Sequence, residues 1–229
     1  MFDRTPVPQL VARKIQELIL SGELAAGCRI PSQRLFSEQL GVSRASLREA
    51  LLTLETLGLI RTAPGRGTFV TDDAKSSSNN LSTWRYSDSY TVLEVYQTRL
   101  MLEGTIASLA ARNVTSSQLL AMENATIAME KAWESHDLLS TVEADLLFHE
   151  TITNACGNSM LQALYNTMRN QLNETQRQPI PNTGPDRMIV SISEHRALIH
   201  EMKKGNAEGS KTVMEAHIRN TAVYADIRL

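Results

Sequence analysis

The feature that most constrains this chain is a three-residue break, Gly41-Val42-Ser43, between two helical patterns. Before it, Ser32 is a natural N-cap for a short helix over 33–40. After it, Leu47, Ala50, Leu51 and Leu54 recur at three- and four-residue spacing, which predicts a longer helix over 44–57. Gly58 is a natural stop for that helix. Two short β-type runs, 59–62 and 68–71, follow at once, with Ala63-Pro64-Gly65-Arg66-Gly67 as a hairpin tip. A further helix is predicted over 8–21, with Leu10, Val11, Ile15, Leu18 and Ile19 at helical spacing.

Short helix, tight turn, longer helix and hairpin make the layout of a winged helix-turn-helix. Such a unit offers the first turn of its second helix to the DNA major groove. Ser43, Arg44, Ser46 and Arg48 lie there, and the two arginines share one face. Each arginine can donate two hydrogen bonds to guanine O6 and N7. The hydroxyls of Ser43 and Ser46 can cap the helix or bind phosphate. Arg34 is placed to reach the groove or a phosphate, and Gly65-Arg66-Gly67 is slim enough to approach the backbone or minor groove. For an isolated helix, Arg44 and Arg48 would read as a solvated face. The hairpin tip rich in Gly and Arg behind them favours the DNA reading.

Charge and histidine are distributed unevenly. Residues 1–72 carry nine Arg/Lys against seven acids, and the remainder carries fourteen against eighteen. The overall charge of −2 therefore conceals a mildly basic first part. All five histidines lie beyond residue 135. The expected organisation is a DNA-binding domain over 1–72, a polar linker over 73–86 and a helical domain over 87–229. In the last, helices are predicted near 90–112, 116–135, 138–155, 158–177, 187–204 and 207–227. Thr115 or Ser116, Asn158 and Asn206 are candidate caps, and 178–185 is a loop. The fold class is mainly α. Trp84 and Tyr86 are expected to dock one domain on the other. Two cysteines, Cys28 and Cys156, give no disulfide framework, and no apolar run is long enough to span a membrane. The start MFDRTPVPQL lacks a signal-peptide pattern, so a cytoplasmic location is expected.

In the second domain, Asp145 and His149 stand at i and i+4 on one helical face, and His195 and His217 lie on two later helices. A bundle can bring all four to one interior site, a ligand set suited to Zn²⁺ and also to Ni²⁺ or Mn²⁺. By spacing alone the signal is weak, because a histidine in a helix is more often a satisfied core or surface residue.

The stretches Arg29-Ile30-Pro31-Ser32-Gln33-Arg34-Leu35, Leu40 to Leu51, Gly58-Leu59-Ile60 and Gly65 to Val70 resemble the DNA-binding domain of GntR-family bacterial transcription regulators. Cys28 and Phe36-Ser37 depart from the usual pattern at packing positions only. Further on, Arg99-x-x-x-Glu103, Asp145-x-x-Phe148-His149, Gly157-Asn158, Glu194-His195-Arg196 and Ala216-His217 resemble the all-helical FCD-type effector domain of the FadR branch.

That resemblance implies a divalent metal, Zn²⁺ first and Ni²⁺ or Mn²⁺ as alternatives, held by Asp145, His149, His195 and His217. It also implies that Arg99 faces the same cavity and clamps a carboxylate in bidentate fashion; an ion pair with Glu103 is the other reading. Asn158 is either a cavity donor or a helix cap. His200 and His136 are expected to point elsewhere. The function implied is a homodimeric regulator, a repressor by analogy, that binds double-stranded operator DNA and responds to a small organic acid. A 2-hydroxy- or 2-oxo-acid could reach the metal through two oxygens. Two alternatives stay open: a bundle metalloenzyme that activates water, and a regulator whose metal is purely structural.

Overall fold

A computed structural model of the 229-residue chain describes residues 6–71, 84, 86–177, 179–180 and 183–229. The chain divides into two compact units between Thr83 and Trp84.

The first unit contains α1 (Val7–Leu20), α2 (Gln33–Leu40), α3 (Arg44–Thr56), β1 (Ile60–Ala63) and β2 (Gly67–Val70). Helix α1 buries Val11, Ala12, Ile15 and Gln16. Its inner stripe is centred on 11 and 15, so Leu10 falls outside it and stays 52% exposed, contrary to expectation. The turn after α2 forms because Gly41 takes a left-handed φ of 65°, where a side chain would be strained. Val42 N then donates to Ser37 O at 3.0 Å and closes the helix end. Ser43 restarts the chain as the α3 N-cap, its Oγ accepting from Ser46 N at 3.0 Å. The four predicted inner residues of α3 are all buried.

The hairpin is offset by one residue from the predicted runs. Ile60 pairs with Val70 and Ala63 with Gly67, because Arg66 N donates to Ala63 O at 2.9 Å and draws the tip tighter. A third edge joins it, unforeseen in the sequence: Ile30 N donates to Thr68 O and Val70 N to Cys28 O. Gly67, at φ 116°, lies under the Arg29 guanidinium, and a β-carbon there would sit 2.6 Å from Arg29 Nε.

The second unit is a six-helix bundle among the described residues: α4 (Val92–Asn113), α5 (Ser116–Glu134), α6 (Leu138–Ala155), α7 (Ser159–Arg177), α8 (Pro185–Lys203) and α9 (Ala207–Tyr224). Capping boxes start α4 at Thr91/Glu94 and α5 at Thr115/Gln118, satisfying backbone donors that the first helical turn leaves free. Asp137 and Asn206 cap α6 and α9. Helices α5 and α6 lie along one another, as do α4 and α9. Tyr96, Ile106, Phe148, Ile152, Leu198 and Ile218 fill the core.

Trp84 also belongs to this core, with its Nε1 donating to Tyr90 O at 2.5 Å and its ring edge-on to Tyr86. It is a packing residue of the bundle. Most of the expected linker lies outside the described residues.

Candidate functional site

In the first unit, Arg34, Ser43, Arg44, Arg48, Gly65 and Arg66 are exposed, and Ser46 and Gly67 are half-buried. Arg34 is paired with Glu38 at 3.0 Å. Ser43 and Ser46 are engaged with each other, their hydroxyls 2.9 Å apart at the helix start. The side chains of Arg44, Arg48 and Arg66 have no hydrogen-bond or ion-pair partner among the described residues. Three arginines left in water on a helix start and a hairpin tip are available for phosphates and base edges.

In the second unit the bundle brings Asp145, His149, His195 and His217 together. One ligand atom from each lies within 4.8 Å of all the others. Asp145 and His149 come from successive turns of α6, His195 from α8 and His217 from α9. Asp145 Oδ1 is 3.2 Å from His195 Nε2 and 3.8 Å from His149 Nε2. The three imidazoles are buried, and the Asp145 side chain keeps 13% of its exposure. The His195 ring stacks on Phe148 at 3.9 Å between centroids, which fixes its orientation.

Two glutamates that sequence reasoning did not assign to the site hold two of these rings from behind. Glu103 Oε2 is 2.7 Å from His149 Nδ1, and Glu194 Oε2 is 2.7 Å from His217 Nδ1. Behind each glutamate stands an arginine. Arg99 Nε donates to Glu103 Oε1 at 2.7 Å, and Arg187 Nη1 donates to Glu194 Oε2 at 3.1 Å. Burial works against the charge of Glu103, but Arg99 and then His149 outweigh it and hold its pKa at about 2. Burial likewise opposes the charge of Asp145, and the three histidines hold it below the usual carboxylate range. Burial pushes His195 down to about 4 despite Asp145. His217 is also pushed down, burial outweighing Glu194. The site thus pairs ionised carboxylates with at least two imidazoles kept neutral.

The orphaned atoms fit a metal. Nε2 of His149 and Nε2 of His195 are buried with no hydrogen-bond partner among the described residues. An ionised glutamate only accepts, so Nδ1 is the donor in each pair and Nε2 is the nitrogen that faces away from the glutamate. Carboxylate–imidazole pairs of this kind are the usual outer support of metal-ligating histidines.

A cavity of about 40 Å³ adjoins the cluster, lined by Asp145, His217, Arg99, Gln176 and Arg187 among others. Arg99 is fully buried and lines this cavity. Its Nε is engaged by Glu103 and its Nη1 donates to Thr175 Oγ1 at 3.2 Å, while Nη2 has no partner among the described residues. The ion pair with Glu103 is present, and Nη2 is the guanidinium nitrogen without a hydrogen-bond partner among the described residues. Asn158 is exposed and does not line this cavity; its Oδ1 accepts from Met160 N and Leu161 N, so it is the cap of α7. His136 and His200 are exposed, away from the cluster, as expected.

Two family descriptions match the chain: "Bacterial regulatory proteins, gntR family" over residues 9–70 and "FCD domain" over residues 94–220. The Uxu operon transcriptional regulator of Escherichia coli K12 is 28% identical over 93% of this chain and 84% of its own length. LutR of Bacillus subtilis 168, an HTH-type transcriptional regulator, is 29% identical over 89% of this chain and 94% of its own. The Glc operon transcriptional activator of E. coli K12 is 32% identical over 69% of this chain and 64% of its own. Among solved structures, E. coli McbR/YncC shares the fold with a TM-score of 0.55 at 20% identity, covering 97% of this chain and 99% of that one. The chain belongs to the GntR family of bacterial regulatory proteins, as a DNA-binding transcriptional regulator whose helix-turn-helix unit is followed by an FCD domain, an arrangement that fits the FadR-like branch.

Proposed function

We propose that the bundle senses a small organic acid beside a divalent metal ion and passes that signal to the DNA-binding units of a cytoplasmic homodimer. The observations that carry this reading are the orphaned atoms: Nε2 of His149 and of His195 within the ligand cluster, and Nη2 of Arg99, a residue that lines the adjoining cavity. Asp145, His149, His195 and His217 would hold the ion, Zn²⁺ first and Ni²⁺ or Mn²⁺ as alternatives. When bound, the ion supplies a Lewis-acid anchor for a carboxylate oxygen. Glu103 and Glu194 keep two of the imidazoles in the ligating tautomer. Arg99 supplies positive charge to the acid through its free nitrogen.

Arg44 and Arg48 read base edges, Ser43 and Ser46 shape the helix start, and Arg34, Arg66 and the two tip glycines meet the phosphate backbone. A homodimer of such units would bind two half-sites of a pseudo-palindrome. The acid acts only through a difference in affinity between DNA-competent and DNA-incompetent states, so DNA must weaken acid binding by the factor by which acid weakens DNA binding. Repression is the sign proposed. The Glc relative is named an activator, so promoter output with and without this regulator, read by a reporter gene, decides the sign for this chain.

The test is direct. Full-length protein is analysed for metal content, then screened for thermal stabilisation by small carboxylates with and without added Zn²⁺, Ni²⁺ or Mn²⁺. The reading expects close to one ion per chain and stabilisation by an acid that requires the ion. Acid binding that survives metal removal would favour a structural metal. The metalloenzyme alternative is the weaker one, because the relatives named above are transcriptional regulators.

A further inference from the structure

The hairpin of the first unit has two unlike faces. Ile60 and Val70 pair across it and are buried, as is Ile30 on the third edge. Side chains alternate between the faces along a strand, and directly opposed residues share a face. Arg61 is opposite Phe69 on one side, and Arg29 bridges to Phe69 on the other. Arg61, Phe69 and Arg29 therefore form one row on the face turned away from Ile30, Ile60 and Val70. Both arginines are exposed and Phe69 is half-buried. The Arg61 guanidinium lies 5.5 Å from the centre of the Phe69 ring. That of Arg29 lies over Gly67, two residues nearer the tip on the same face, where a β-carbon would come within 3.2 Å of its Cζ.

The row is a free cationic surface. The side chains of Arg29 and Arg61 have no hydrogen-bond or ion-pair partner among the described residues. Residues 25–36 and 56–71, which build the third edge and the hairpin, contain Arg29, Arg34, Arg61 and Arg66 and no Asp or Glu. Strand propensity alone favours β-branched and aromatic residues at positions 29 and 61. A guanidinium instead matches phosphate oxygens, which it can bind through two parallel N–H donors. The row is also continuous with the hairpin tip, because Arg29 reaches Gly67 and Arg66 stands next to it in the chain. The occupant that fits is a polyanion already held at the tip.

We propose that Arg29 and Arg61 form a phosphate-binding row on the solvent face of the hairpin, with Phe69 as the platform between them, and that this row takes the backbone of the same DNA duplex that α3 and the tip meet. This rests on the reading that α3 and the tip face DNA. It adds to that surface two cations per chain that lie outside both.

The experiment is fluorescence-anisotropy titration of full-length protein at several salt concentrations. The probes are a labelled duplex that wild type recovers from a randomised pool and a scrambled duplex of the same length. Arg29→Met and Arg61→Met keep an unbranched stem over Gly67 and Phe69 and remove the charge. Each should flatten the slope of log affinity against log salt by about one per chain, and the double variant by about two. Both duplexes should weaken by similar factors, because phosphate contacts carry no sequence information. Arg29→Lys and Arg61→Lys should keep the wild-type slope. Melting temperatures should stay near wild type, since both side chains are exposed. Arg219→Met removes the same charge from an exposed position on α9 and should leave the slope unaltered. An unaltered slope in the double Met variant, Lys variants that weaken binding as much as the Met variants, or an equal change in Arg219→Met would overturn the row. A flattened slope in Arg66→Ala with unaltered slopes at positions 29 and 61 overturns the row alone, whereas unaltered slopes at all three positions take the whole hairpin off the DNA.

Discussion

Glu103 Oε2 stands 2.7 Å from Nδ1 of His149, across 46 residues of chain and inside the bundle core. The same carboxylate holds the Arg99 guanidinium on its other oxygen. Glu194 repeats the arrangement between Arg187 and His217. Two of the three imidazoles at the site are thus aimed from behind by an arginine-supported glutamate, and both arginines line the cavity. The cavity and the ligand cluster are one connected polar network.

Glu103→Gln tests that network. An amide can donate as well as accept, so it no longer dictates which nitrogen of His149 carries the proton. Metal affinity, measured by competition with a chromophoric chelator, should fall about 10–100-fold. Glu194→Gln should show the same direction at His217. Unaltered affinity in both variants would show that the glutamates only neutralise the arginines.

Arg99→Ala is a poor probe of ligand binding, because it leaves the Glu103 charge buried and without its arginine. Removing one partner of such a pair costs about 3–5 kcal/mol, so a large drop in melting temperature is expected. Arg99→Lys keeps the charge beside Glu103 but lacks the fork that also reaches Thr175 and the cavity. In an operator titration, Arg99→Lys should need about tenfold more acid to release DNA, while acid-free operator binding stays within about twofold. An unchanged response would move the acid away from Arg99.

His195→Ala should abolish stoichiometric metal in elemental analysis. It should also lower the melting temperature of the metal-free protein, because the ring stacks fully on Phe148 and its removal leaves a cavity. The two effects separate by adding Zn²⁺: wild type is stabilised by the ion, and the variant is not. Equal stabilisation of both would remove His195 from the ligand set.

The parts of the fold legible in the sequence are those fixed by local chemistry. Ser32, Gly41, Ser43 and Asn206 declare helix ends through backbone groups within a few residues, and the structure uses all four in that way. Asp145 and His149 were legible because helical spacing alone aligns them. Glu103 and Glu194 were not, since their choice of partner lies across 46 and 23 residues and spacing does not encode it. A local signal did exist: each stands near one candidate, as Arg99-x-x-x-Glu103 and as Glu194-His195. Arg29 to Phe69 was hidden, since a single bridge has no period.

Arg48→Ala should cost about 1–3 kcal/mol of specific operator binding and relax specificity at one base position. The helix should persist, because alanine is a strong helix former and Arg48 is exposed. Arg44→Ala should behave alike at a neighbouring base. Operator binding like wild type at several salt concentrations would exclude this face of α3 from base readout.

Arg66→Ala separates phosphate contact from base readout. Arg66 is exposed at the tip between β1 and β2, and its side chain has no hydrogen-bond or ion-pair partner among the described residues, so its loss leaves no buried charge behind. Its backbone N–H still closes the turn on Ala63 O at 2.9 Å, a bond that alanine retains. The hairpin should therefore keep its shape, and any change in DNA binding reports the lost charge. A contact to one phosphate per chain releases about one counterion, so the slope of log affinity against log salt should flatten by about one per chain. Operator and unrelated DNA should weaken by similar factors. Gly67→Ala is the complementary change: the charge stays, but a β-carbon at φ 116° would press on Arg29 Nε and displace the tip. That variant should weaken DNA binding with the salt slope reduced in the same way, together with a lower melting temperature that Arg66→Ala does not show. An unaltered slope in Arg66→Ala would take the hairpin tip off the DNA.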